Sequence, residues 1–158
     1  MVAHRRWVEA LVLLVVPAYV AQATLGFGWG PLGALQANAT YRLLSGLLLA
    51  AVIGWMWVQS LIRSSARPRS RLWISLHRLG GLLGVGALFL HTTRWGHAYL
   101  TALAGVFLGT VLVGILSPAS LRSRSPGYHR LWLIVHVVLA VVLVAGVAFH
   151  LWIGLSYA

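Results

Sequence analysis

Four histidines lie within long apolar stretches of the sequence, where an ionisable side chain is costly and therefore suggests a function. His77 and His91 share one stretch, and His136 and His150 share another. Fourteen positions separate the two histidines of each pair. Because fourteen residues make nearly four turns of an α-helix, each pair is expected on one helix face, with about 21 Å between its members along the axis.

This spacing predicts two ligand pairs, one near each membrane face. A single helix between the two histidine helices makes them parallel, which places His77 level with His136 and His91 level with His150. Two neutral imidazoles that face each other serve as axial ligands of an iron porphyrin. The chain has no cysteine, which excludes thiolate metal sites and covalent haem attachment. The sequence therefore predicts two non-covalent haem b groups, each held by one histidine from each helix.

Small residues lie one helical turn inward from each histidine, where a porphyrin would need space. They are Gly81, Ala87, Ala140 and Gly146, and Gly84 lies midway between the two histidines of the first helix. The midpoint of the second helix is Leu143, so the pattern is not fully repeated. Small residues are also common at contacts between transmembrane helices. A second interpretation, in which the histidines bond to backbone or hydroxyl groups inside a bundle, therefore stays open.

The charged residues are almost all cationic. The sequence has twelve arginines, a single acid, Glu9, and a net charge of +11. Each haem carries two propionates, which arginine can bind through charge-assisted hydrogen bonds. Arg78 and Arg130 are candidates at one haem, and Arg42 and Arg94 are candidates at the other. Topology and lipid anchoring are the alternative role for these four side chains.

The composition is that of a membrane protein, with 60% hydrophobic and 8% charged residues and a mean hydropathy of +0.89. The fold class expected is an all-α integral membrane bundle of about five transmembrane helices that forms one di-haem domain over residues 1–158. The predicted helices cover about residues 7–24, 43–62, 72–93, 98–116 and 128–155. The first stretch ends in Ala21-Gln22-Ala23, which also fits the cleavage site of a signal peptide.

The arginines lie at the ends of the apolar stretches and not in a basic stripe, which argues against a nucleic-acid partner. Five helices with alternating loops place Arg42 and Arg94 on one side. The other ten are on the opposite side: Arg5, Arg6, Arg63, Arg67, Arg69, Arg71, Arg78, Arg122, Arg124 and Arg130. The positive-inside rule makes this arginine-rich side, with the N-terminus, cytoplasmic.

The His77-x13-His91 and His136-x13-His150 helices, with Arg78 directly after the first histidine, resemble the ferric-reductase-like transmembrane domain. Ferric reductases, NADPH oxidases and a bacterial methionine-sulfoxide-reductase haem subunit share that domain. The resemblance covers about residues 72–155. Paired spacing of this kind is also similar to cytochrome b of quinol:cytochrome c reductases, which arrange their helices differently.

The resemblance implies that the four histidines are axial haem ligands. It also implies that electrons pass from a cytoplasmic flavin domain to an acceptor outside. The chain departs from the family pattern in having five predicted helices rather than six, and no flavin or nicotinamide domain after Leu155. The electron donor is therefore left open.

The expected function is transmembrane electron transfer, as a conduit or as the haem-binding subunit of a membrane oxidoreductase complex. We expect a multi-pass protein in the inner or plasma membrane of a bacterium, with the lipid bilayer and a redox protein as partners. One alternative is a quinol- or quinone-reactive cytochrome b, with a quinone as a further cofactor. Another is a haem-free subunit that only anchors partners in the membrane.

Overall fold

A computed structural model describes residues 2–65 and 71–156, with side chains for 7–62 and 72–156. The described residues form helices, turns and loops, with no strand among them. These described residues contain seven helices, in chain order α1 (Val2–Leu25), α2 (Gly30–Ala37), α3 (Ala39–Ser65), α4 (Arg71–His91), α5 (Tyr99–Ile115), α6 (Pro118–Leu121) and α7 (Pro126–Ser156). The expected all-α fold class is confirmed.

Each of the five predicted stretches contains a helix, although α4 and α5 are slightly shorter than predicted. In the part of the chain that the structure describes, four helical segments are long and apolar enough to cross a membrane: Trp7–Leu25, Ala39–Ile62, Leu72–His91 and Pro126–Ser156. α5 has 17 residues and a length of about 26 Å at about 1.5 Å per residue. It is therefore a few ångströms shorter than a hydrocarbon core of about 30 Å.

The chain forms two compact units, Met1–Trp95 and Gly96–Ala158. In the first unit α3 and α4 form an antiparallel hairpin, α1 packs on α4, and α2 contacts both α3 and α4. In the second unit α5 packs along α7, and α6 contacts the same helix. One histidine helix, α4, belongs to the first unit, and the other, α7, belongs to the second.

The segment between the first two predicted spans is not a plain connector, because it contains α2. Gly26 follows α1 with a φ of +71°, a conformation that favours glycine. Pro31 lies in the first turn of α2, where its missing N–H costs no helical hydrogen bond. Asn38 then starts α3, since its Oδ1 accepts a hydrogen bond of 3.0 Å from the backbone N–H of Tyr41.

The predicted loop between the fourth and fifth spans also contains a helix. Ser117 begins the four-residue α6, with its hydroxyl accepting a hydrogen bond of 3.3 Å from the N–H of Ser120. Arg122 follows α6 with a φ of +53°. The predicted loop between the second and third spans lies mostly outside the described residues. Also outside them are six arginine side chains of the predicted cytoplasmic side: Arg5, Arg6, Arg63, Arg67, Arg69 and Arg71.

Candidate functional site

His91 is the last residue of α4, and its half-buried imidazole lies against α3. The Nδ1 atom is 3.1 Å from the hydroxyl oxygen of Ser45. The next residue on α3 is Gly46, and an added Cβ there would lie 3.0 Å from Cε1 of His91. Two adjacent α3 residues therefore fix this ring, one by a hydrogen bond and one by close backbone approach.

The Ser45 hydroxyl indicates which imidazole nitrogen carries the proton. That hydroxyl donates to the carbonyl oxygen of Tyr41 at 2.7 Å. A serine hydroxyl has one proton, so towards His91 it acts as the acceptor, and Nδ1 is the donor. In a neutral imidazole Nε2 then carries the lone pair. This tautomer suits an iron ligand, because a metal-bound histidine normally donates its other N–H to a neighbouring acceptor. The donor chemistry at His91 fits haem ligation.

A polar network holds the end of α4 that carries His91. The Gln36 amide nitrogen donates to the carbonyl oxygens of Phe89 and Leu90, both at 3.1 Å. The Tyr41 hydroxyl also donates to Leu90, at 3.1 Å, and the Thr93 hydroxyl donates to Gln36 Oε1 at 2.9 Å. These bonds satisfy carbonyls that a helix end leaves unpaired. α4 therefore ends at His91, two residues before the predicted end, and α2 supplies the cap.

We expect Gly46→Ala to destabilise the protein, because its new methyl group would push the His91 imidazole away from α3. Overpacking of this kind costs about 1–3 kcal/mol. The measurement is thermal unfolding of the purified protein in detergent. Gly54→Ala is the matched control, since an added Cβ there has no described atom within 4 Å. That change should be neutral or stabilising by helix propensity. Equal melting temperatures for the two variants would contradict the close approach.

His77 lies on the same face of α4, nearer its start, and is half-buried. It lines a small pocket with Trp73 of α4 and with Gln59 and Ser60 of α3. The histidine face of α4 is therefore turned towards α3 at both ends.

Three small residues of α4 are predicted to accommodate porphyrins, and one of them, Gly81, lies near α3. Gly81, Gly84 and Ala87 are all buried. An added Cβ at Gly81 would lie 4.0 Å from the Met56 methyl carbon. Met56 is a flexible side chain that adapts easily to a neighbour. The predicted role of these positions at a haem stays a prediction.

Arg78 follows His77 and is paired with the only acid of the sequence. Its Nη1 lies 2.9 Å from Oε1 of Glu9, and the two side chains are 19% and 20% exposed, respectively. This ion pair joins α4 to α1. The guanidinium of Arg78 thus has a carboxylate neighbour within the protein. Its predicted contact with a propionate stays a prediction.

In the second unit, α7 turns its histidines towards α5. His150 Nδ1 is 3.2 Å from the Tyr99 hydroxyl, and the ring centroids are 6.2 Å apart. His136 stacks on Trp132, with ring centroids 5.4 Å apart and planes 10° from parallel. Its Cε1 lies 3.5 Å from the position of an added Cβ on Gly114. Both imidazoles are half-buried.

Of the two small α7 residues predicted near haems, Gly146 is covered by α5. An added Cβ there would lie 2.8 Å from Cδ1 of Leu103. Ala140 is half-buried. Close packing of α5 on α7 therefore explains the glycine without a porphyrin, as the alternative interpretation of the sequence allows.

The other three predicted arginines are exposed. Arg42 lies in the first turn of α3, one turn before Ser45. Arg94 follows α4, where its N–H donates to the Thr92 hydroxyl at 3.2 Å. Arg130 lines a surface depression with Arg124 and His129 near the start of α7. Exposed guanidinium groups at helix ends fit both predicted roles, propionate binding and lipid anchoring.

Neither unit brings two of the four predicted ligands together. Each unit contains two of these histidines on a single helix, where about 21 Å separates them along the axis. Among the described side chains, those of residues 7–62 and 72–156, no three of the metal-binding types His, Cys, Asp and Glu converge. A haem iron needs only two protein ligands.

The sequence did not predict the neighbours of the histidines, which are Ser45, Gly46, Tyr99 and Trp132.

Comparison of the chain with protein families, with curated proteins and with solved structures found no match.

Proposed function

We propose that the protein is a membrane-spanning helical bundle that transfers electrons across a lipid bilayer through two bis-histidine b-type haems. One observation carries the proposal. His91 and His150 are the second histidines of the two helices. The Nδ1 atom of each lies within hydrogen-bond distance of a hydroxyl group. That arrangement directs Nε2 away from the contact, as a haem ligand requires.

The exposed surface supports a membrane location. α7 has 31 residues, and only Leu143 among them is buried, although the helix is strongly apolar. Contiguous apolar surface of this extent is rare on a soluble monomer. We propose that α1, α3, α4, α5 and α7 cross the bilayer, with the N-terminus in the cytoplasm. We also propose that the protein lies in the inner or plasma membrane of a bacterium and exchanges electrons with a redox protein partner.

The proposed ligand assignment is based on the equal histidine spacing in the sequence. His77 and His136 would hold one haem, and His91 and His150 would hold the other. Arg42, Arg94 and Arg130 are the arginines proposed for propionates. A bis-histidine haem supplies reversible one-electron chemistry of its iron. The protein's part is to fix His91 by Ser45 and His150 by Tyr99, and to surround both sites with apolar helices.

A visible spectrum of the purified protein tests this function. We expect a Soret band, and after reduction a sharp α-band of b-type haem. A chain without cysteine cannot attach haem by thioether bonds, so acid acetone should extract the chromophore completely. A protein that is folded in detergent, and that shows no Soret band when expressed with haem supplied, would instead be a haem-free membrane subunit.

A further inference from the structure

α3 carries a polar pair with the same interval as the histidines of α4. Fourteen positions separate Ser45 from Gln59, as fourteen separate His77 from His91. Both residues are buried within an apolar helix, at 8% and 3% exposure. Buried polar side chains are expected to have hydrogen-bond partners, so their place on this helix requires an explanation.

The hairpin register sets each polar residue opposite one histidine. Ser45 contacts His91 at one end, and Gln59 shares a pocket with His77 at the other. Between these levels, Cγ of Met56 lies 2.9 Å from the position of an added Cβ on Gly80. These three pairs of neighbouring positions follow one antiparallel register along α3 and α4. The polar pair and the histidine pair therefore match at both levels.

The two levels differ in one respect. Ser45 is hydrogen-bonded to His91, whereas neither Oε1 nor Nε2 of the buried Gln59 has a hydrogen-bond partner among the described residues. Leaving a buried polar group without a partner is unfavourable. An amide oxygen is a good acceptor for an imidazole N–H. Gln59 thus has the chemistry that Ser45 already uses, at the same relative position.

We propose that α3 is a positioning helix for both α4 ligands: Ser45 accepts from Nδ1–H of His91, and Gln59 accepts from Nδ1–H of His77 when that imidazole binds iron. This inference rests on the proposed haem function. An acceptor on Nδ1–H fixes the ring and makes the imidazole more basic, which stabilises ferric over ferrous iron. Ser45 and Gln59 each lower the reduction potential of one haem.

The test is a spectroelectrochemical titration of the haem-loaded protein. Gln59→Leu keeps similar volume and removes the acceptor, and Ser45→Ala removes the other. A hydrogen bond that stabilises the ferric state by about 1 kcal/mol more than the ferrous state keeps the ferrous-to-ferric ratio about fivefold lower, so its loss raises that ratio about fivefold. At about 59 mV per tenfold change, that is an upward shift of about 40 mV. Gln59→Leu should shift the component that His77→Ala removes, and Ser45→Ala should shift the component that His91→Ala removes.

Gln22→Leu is the matched control. Gln22 lies on α1 in the same unit, and its Nε2 is also buried without a partner among the described residues. The same substitution there should leave both potentials unchanged. Gln59→Glu keeps an acceptor oxygen. The reduction potential of the haem that His77 holds should therefore stay at or below its value in the unmodified protein.

Three outcomes would overturn the inference while haem remains bound: unshifted potentials in Gln59→Leu, an equal shift in Gln22→Leu, or a shift of the same component by Ser45→Ala and Gln59→Leu. An unmodified protein that binds no haem would instead overturn the proposed function. The two failures are therefore distinguishable.

Discussion

Replacing His77 or His136 with alanine is expected to remove the same one of the two proposed haems and to leave the other. Replacing His91 or His150 should remove the remaining one. Each haem would lose one of two axial ligands, and apolar helix packing alone holds a haem poorly once its iron ligand is gone. The expected change is from about two haems per chain to about one, measured by the pyridine haemochrome assay together with a redox titration.

His97→Ala is the control for this series. His97 is exposed and lies in the segment between α4 and α5, so its loss should leave both haems in place. Loss of the same spectral component in His77→Ala and His91→Ala would contradict the proposed ligand pairing. Loss of both haems in every single variant, with the helical content of the protein unchanged, would also contradict two separate sites.

Neutralising Glu9 is expected to destabilise the first unit. Glu9→Gln would leave the Arg78 guanidinium without its carboxylate in a largely apolar setting. Breaking a fully buried ion pair costs about 3–5 kcal/mol. The Arg78 and Glu9 side chains are 19% and 20% exposed, respectively, and solvent reaches both of them. We therefore expect a loss of about 1–3 kcal/mol in the free energy of unfolding.

A double-mutant cycle with Glu9→Gln, Arg78→Gln and the double variant measures this interaction. The double variant should lose less free energy of unfolding than the two single variants lose in sum, since it removes both charges together. High salt should reduce the coupling only partly, because the pair is mostly shielded from solvent. Additive single effects would show that the α1–α4 contact does not depend on this ion pair.

The apolar pattern predicted the long helices well, because each covers enough apolar residues to form a helix regardless of its neighbours. It did not predict α2. Gly30, Pro31 and Gly33 make that segment resemble a loop, and its helix is fixed by tertiary contacts. Gln36 caps α4 from there, and a long-range contact of this kind has no local sequence signature.

The histidine pairs were readable from the sequence, but their immediate neighbours were not. Which face of α3 meets α4 depends on the hairpin register, and a single sequence does not specify it. One usable signal was present: Ser45 and Gln59 repeat the fourteen-residue interval of His77 and His91. The role of Arg78 was ambiguous for another reason. A cation beside a predicted ligand suits a propionate as well as the distant Glu9, and only the packing of α1 on α4 reveals the carboxylate.

Electron transfer across a sealed membrane tests the central claim most directly. The purified protein, reconstituted in lipid vesicles that contain ferricyanide, would receive dithionite only from outside. We predict that entrapped ferricyanide is reduced much faster than in protein-free vesicles, and that His77→Ala and His91→Ala each abolish this gain. Haem-loaded protein that leaves the entrapped ferricyanide oxidised, at the rate of empty vesicles, would contradict a transmembrane electron conduit.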